Sequence, residues 1–140
     1  QEFKLTKNRM DILEKNHKTV IDGTYNASVD SMKSSIDVLA NYKKRKVAIL
    51  ADMLELGDYS QQLHEEVGSY VASKGIDILV CVGKEAKYIY QKAKENMKDV
   101  YYFESNQEVI ARLDELLKED DVILVKGSHS MNLKEVVEKI

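Results

Sequence analysis

The chain has 140 residues, 44% of them hydrophobic and 32% charged, the size and composition of one soluble globular domain rather than a disordered chain. Lys plus Arg number 21 and Asp plus Glu 24, a net charge of −3, which leaves no basic footprint for nucleic acid. No apolar run approaches the roughly 20 residues of a membrane span, the start has no signal-peptide core, and the single Cys81 excludes an internal disulfide or a cysteine metal cage; together these features predict a cytoplasmic location.

Short apolar runs alternate with helical patterns along the chain. Arg9–Leu13 reads as a possible extra strand, joined by a turn at Asn16 to a strand over Lys18–Asp22. Val29–Tyr42 carries an apolar stripe at Met32, Ile36, Leu39 and Ala40, the spacing of a helix with one buried face. Lys46–Ala51 is a strand. Ser60–Lys74 is a helix with Leu63, Val67 and Val71 on one side and Gly75 ending it. A strand over Asp77–Val82, a helix over Glu85–Met97 and a strand over Val100–Phe103 follow. Ser105 and Glu108 have capping-box spacing and open a helix to Lys118. Asp121–Val125 is a strand, and Met131–Ile140 the last helix. Strands alternating with helices imply βαβ units. Continuous apolar strands imply a mostly parallel sheet covered on both faces, an open three-layer α/β domain.

Open parallel sheets bind ligands beyond the carboxyl ends of their strands. Polar and small residues gather there: Asp22–Ser28, Asp52–Gly57, Gly83-Lys84, Glu104-Ser105 and Lys126–Ser130. Asp22 suits either a turn or helix cap, or a contact to a ribose hydroxyl or a cation. Tyr25 and Asn26 have the groups to stack on or hydrogen-bond a nucleotide. Asp52 and Glu55 either face one cleft or are simply solvated. Lys126-Gly127-Ser128, at a strand end before a helix, suits a carboxylate or phosphate; alternatively Ser128 or Ser130 caps the helix and Lys126 is solvated. His17, His64 and His129 lack the spacing of a metal site, and Cys81 reads as a buried small hydrophobe. Neither a phosphate-binding P-loop nor a dinucleotide glycine fingerprint is present.

Three segments occur here in order: Asp22-Gly-Thr-Tyr-Asn-Ala-Ser-Val-Asp-Ser-Met32; Ala51-Asp-Met-Leu-Glu-Leu-Gly57 followed by Ser60, His64 and Gly68; and Val125-Lys-Gly-Ser-His-Ser-Met131. Together with Arg9-Met10 they resemble the C-terminal domain of the Mur ligases, over nearly the whole chain. The branch most resembled joins D-Ala-D-Ala to UDP-MurNAc-tripeptide in cytoplasmic peptidoglycan synthesis, through an acyl phosphate made with ATP. The resemblance implies a Rossmann-like domain, residues 1–140, forming the last of three. The absent domains would hold the UDP-sugar and, with Mg2+, most of the ATP, and this domain alone would be inactive. It further implies that Arg9 reaches the ATP ribose on closure and that Asp22, Tyr25 and Asn26 line the nucleotide side. The Asp52–Gly57 loop, with Asp52 and Glu55, would hold the incoming dipeptide together with Lys126, Ser128, His129 and Ser130.

Three positions depart from the family pattern. Gly23 replaces a second acid, Ser28-Val29 stands where Asn and often Pro are usual, and His129 replaces a common Arg. His129 would be a weaker and pH-dependent anion partner than a bidentate Arg. Other readings remain at this stage: a sibling Mur ligase, a folylpolyglutamate synthase, a bare interaction domain, or a receiver-like module using Asp22, Asp52 and Lys126.

Overall fold

The computed structural model describes residues 10–140. Arg9 lies outside them. Strand β1 (Asp11–Lys15) turns back through Asn16 and His17 into β2 (Lys18–Gly23). Both turn residues are left-handed, with φ of 49° and 63°. That is tolerable for Asn and His, whose types are enriched in this region. Then follow α1 (Val29–Ala40), β3 (Lys46–Ala51), a 3₁₀ turn (Gly57–Tyr59), α2 (Ser60–Ala72), β4 (Ile78–Val82), α3 (Lys87–Ala93), β5 (Val100–Phe103), α4 (Asn106–Leu116), β6 (Val122–Lys126), a second 3₁₀ turn (His129–Met131) and α5 (Lys134–Lys139).

Among the described residues six strands lie in the order β1-β2-β6-β3-β4-β5. Only β1 is antiparallel; β2, β6, β3, β4 and β5 run in one direction. Alternation along the strands divides the core. Ala48, Leu50, Leu79, Cys81, Val122 and Leu124 pack beneath α1, α2 and α3. Val47, Ile49, Val80, Val82, Ile123 and Val125 pack beneath α4 and α5. Neither face reaches water, so these strands read as unbroken apolar runs. The domain is the expected open, mostly parallel α/β sheet with helices on both faces.

The expected elements all form, with shifts at their ends. Among the described residues the first strand runs from Asp11 to Lys15, two residues beyond the expected end at Leu13. Helix α3 is confined to Lys87–Ala93, because the Gly83–Ala86 segment turns to bring its amides onto Asp52. The last helix starts at Lys134, because Asn132 is left-handed and interrupts it. At Ser105 only half of the expected box forms. Its hydroxyl accepts from Glu108 N, but the Glu108 carboxylate reaches back to the Glu104 amide. The complete box is at Ser28, whose side chain accepts from Ser31 N while Ser31 Oγ accepts from Ser28 N at 2.8 Å. The hydroxyl of Ser31 thus takes the part usually given to Glu or Gln.

Candidate ligand site at the strand ends

Asp22 is the penultimate residue of β2 and is 3% exposed. One carboxylate oxygen accepts from Thr24 N and Thr24 Oγ1, at 3.0 and 2.7 Å. The other accepts from Lys134 Nζ at 2.7 Å. Burial works to raise this carboxyl, but the Lys134 ammonium and the Thr24 donors outweigh it and hold it below the usual range. Asp22 therefore shapes the loop and ties it to α5. Asn26 is exposed, and its Oδ1 accepts from Ala27 N at 2.8 Å.

Lys126 ends β6 and is 2% exposed. It is paired in register with Gly23. Its Nζ donates to the Asn26 carbonyl at 3.0 Å. Burial lowers its ammonium to about 8, against a smaller opposing pull from Asp22. Of the two readings of Lys126, the solvated one is excluded by its burial. Its charge lies within the protein, on the loop that carries Tyr25.

Asp52 and Glu55 do not share a cleft. Asp52 is buried, and its Oδ1 accepts from Glu85 N and Ala86 N at 3.0 and 2.7 Å. Burial raises its carboxyl, and the two amides pull the other way. Glu55 is exposed and left-handed, with φ of 65°. Ser128 does not cap a helix either. It donates its amide to Asp52 O at 2.9 Å, and its hydroxyl accepts from Leu54 N at 2.8 Å. The β3 and β6 loops are thus pinned together at two points.

Two supporting residues were not foreseen. His64 is fully buried on α2; its Nε2 accepts from Met53 N at 3.0 Å, and Nδ1 faces Ser60 O at 2.7 Å. Those partners require a neutral ring with the proton on Nδ1. Asn106 donates to Met131 O and to Glu135 at 2.8 and 2.9 Å, which fixes the loop after β6. The sequence signal for His64 is its place four residues after Ser60, one helical turn on. Asn106 has no local signal.

His129 and Ser130 are exposed. The His129 ring meets Tyr25 edge-on, with centroids 5.7 Å apart. The loops expected to serve a nucleotide side and a dipeptide side therefore touch, through Tyr25–His129 and Lys126–Asn26. Tyr25, Leu54 and Tyr59, exposed at 47%, 37% and 66%, stand on the loops that follow β2 and β3. Among the described residues no cluster of His, Cys, Asp and Glu could hold a metal ion. The receiver-like arrangement does not exist. Asp22 and Asp52 are each committed to separate partners, and Lys126 lies on a backbone carbonyl.

An open, mostly parallel sheet with polar and partly apolar loops at its strand ends defines an open α/β domain, whose strand ends are the candidate site. Residues 8–129 match the family described as "Mur ligase, glutamate ligase domain", and the chain belongs to that family. It is 35% identical over 135 residues to the UDP-N-acetylmuramoyl-tripeptide–D-alanyl-D-alanine ligase of Rickettsia prowazekii (strain Madrid E), covering 96% of this chain and 30% of that protein. It is 36% identical over 123 residues to the ligase of the same name from Escherichia coli (strain K12), covering 86% and 26%. The fold is similar to that of a MurF ligase from Thermotoga maritima solved in complex with ADP, with TM-score 0.80, 27% identity and coverage of 94% and 30%. The chain spans between a quarter and a third of the length of these relatives.

Proposed function

We propose that the chain is the C-terminal domain of an ATP-dependent ligase that joins D-Ala-D-Ala to UDP-MurNAc-tripeptide in cytoplasmic peptidoglycan synthesis. The observation that carries this reading is the ordered set of strand-end segments, brought by the fold onto one surface, in a chain similar to proteins of that name. The relatives' greater length leaves room for the UDP-sugar and ATPase domains. The tripeptide carboxylate would be phosphorylated there, with magnesium held by residues outside this chain.

This domain's part is positional. Tyr25 and Asn26 would face the nucleotide, with Asp22 shaping their loop; Arg9 would join them on closure. Ser128, His129 and Ser130, supported by Asp52, Leu54 and Lys126, would face the dipeptide, with the exposed Glu55 beside them. Holding an amine against an acyl phosphate in a closed cleft is worth on the order of 7–11 kcal/mol. Phosphate release by the full-length polypeptide tests the reading, with ATP, magnesium and UDP-MurNAc-tripeptide, with and without D-Ala-D-Ala. Release that needs the dipeptide is the expected result; release that needs a single amino acid instead would transfer the chain to a sibling ligase.

A further inference from the structure

The loop between β2 and α1 is fastened at both ends by its own residues, through Asp22 to Thr24 and through Ser28 to Ser31. Its middle, Tyr25-Asn26, is held from outside. The side chain of Lys126 lies flat across Gly23. A Cβ at position 23 would sit 3.2 Å from Lys126 Cγ and 3.3 Å from both Cδ and Nζ. From there the ammonium reaches the Asn26 carbonyl at 3.0 Å. The one carboxylate close by in the register, Asp22, is taken by Thr24 and Lys134. Among the described residues no carboxylate lies within ion-pair distance of Lys126.

A buried ammonium without a counter-charge is a poor device for stability. Nor does it suit direct ligand contact, because Lys126 is 2% exposed and covers Gly23. What it does touch is the backbone that sets the direction of Tyr25, whose ring meets His129 on the loop following Lys126 itself. We propose that Lys126 is a positioning residue: its ammonium, laid across Gly23 onto the Asn26 carbonyl, locks the Tyr25–Ala27 loop so that Tyr25 rests on His129 and the two ligand-facing loops move as one. Gly23 is the other half of the device, because a side chain there would crowd the lysine stem, its Cβ lying only 3.2–3.3 Å from Cγ, Cδ and Nζ. The functional side of this proposal rests on reading these loops as the ligand surface; the tether itself does not.

The test begins on this 140-residue chain with no ligand present. Lys126→Met keeps the stem and removes the ammonium. In amide and ring-contact NMR spectra, the Tyr25, Asn26 and Ala27 amides should shift and the Tyr25–His129 ring contact should weaken or vanish. The Met53, Leu54 and Ser128 amides, fastened independently, should hold. An unchanged Tyr25–His129 contact in the folded variant overturns the tether. Should Lys126→Met not fold, Gly23→Ala decides, since its methyl, 3.2–3.3 Å from the stem, obliges the lysine to shift by a few tenths of an ångström. It should move the same three amides, and no movement overturns the tether. In the full-length polypeptide, Lys126→Met should raise KM for ATP, the ligand that the Tyr25–Ala27 loop faces in this reading, about tenfold, the worth of one charge-assisted hydrogen bond, and more than it lowers kcat. A loosened loop with unmoved KM refutes the positioning role. Wild-type protein without dipeptide-dependent turnover refutes the ligase reading and leaves the tether to the spectra.

Discussion

Replacing Lys126 by Met should make the domain more stable, and the gain should depend on pH. The ordinary lysine ammonium titrates at 10.5, and burial brings Lys126 down to about 8. The fold therefore disfavours the charged form by about 3 kcal/mol. The penalty is present in full below about pH 8, where both folded and unfolded chains carry the proton. It fades as pH rises to 10.5, because the unfolded chain then loses its proton as well. Methionine carries no charge, so Lys126→Met should gain up to about 3 kcal/mol at pH 7, or about 10 °C in Tm. The Asn26 carbonyl left behind belongs to an exposed residue and can turn to water, which limits the offset. Urea unfolding at pH 7, 8.5 and 10.5 measures the gap between variant and wild type. A destabilised variant at pH 7, or a gain that does not shrink toward pH 10.5, refutes the account of Lys126 as a charge held at a cost.

Three further outcomes follow from the loop contacts. Gly83→Ala should cost about 2–4 kcal/mol, read by urea denaturation, because φ is 112° and the new methyl would lie 2.5 Å from Asp52 Oδ1; a loss under about 1 kcal/mol would mean the β4 end yields readily. His64→Leu should cost about 3 kcal/mol and speed hydrogen exchange at the Met53 amide, which loses its buried acceptor; unchanged exchange there would contradict the assigned role of the ring. Asp22→Asn should cost about 1–2 kcal/mol at pH 7. Because the folded carboxyl titrates below the ordinary 3.8, its contribution is present above that value and is lost as pH falls through the folded one. The gap between variant and wild type should close on acidification below about pH 4, and a constant gap would exclude ionisation as its source.

The fold was legible because each parallel strand is a short apolar run bounded by turn residues, and each helix except the short last one repeats its apolar residues at helical spacing over two turns or more. Element ends were less legible because long-range partners set them. Asp52 draws the Glu85 and Ala86 amides out of α3, and Asn132 goes left-handed where Asn106 holds the neighbouring carbonyls. The site was legible as a set of loops and not as a set of contacts. Nothing local tells that Lys126 turns inward to Asn26, a residue 100 positions away, or that Ser128 binds Leu54 rather than its own helix. Gly23, which reads as a missing acid in the sequence, is in the fold the space that the lysine stem occupies.

Cys81 lies midway along β4, between Leu50 of β3 and Tyr102 of β5, with no exposed surface. It is the one thiol in the chain, and burial pushes its ionisation far up. An alkylating reagent, which attacks thiolate, can reach it only when the central sheet parts. The rate of labelling, measured against that of the unfolded chain, then gives the frequency of sheet opening without any introduced probe. The domain carries its own gauge of that motion, and the Lys126, Gly83 and His64 variants can be compared on it under native conditions.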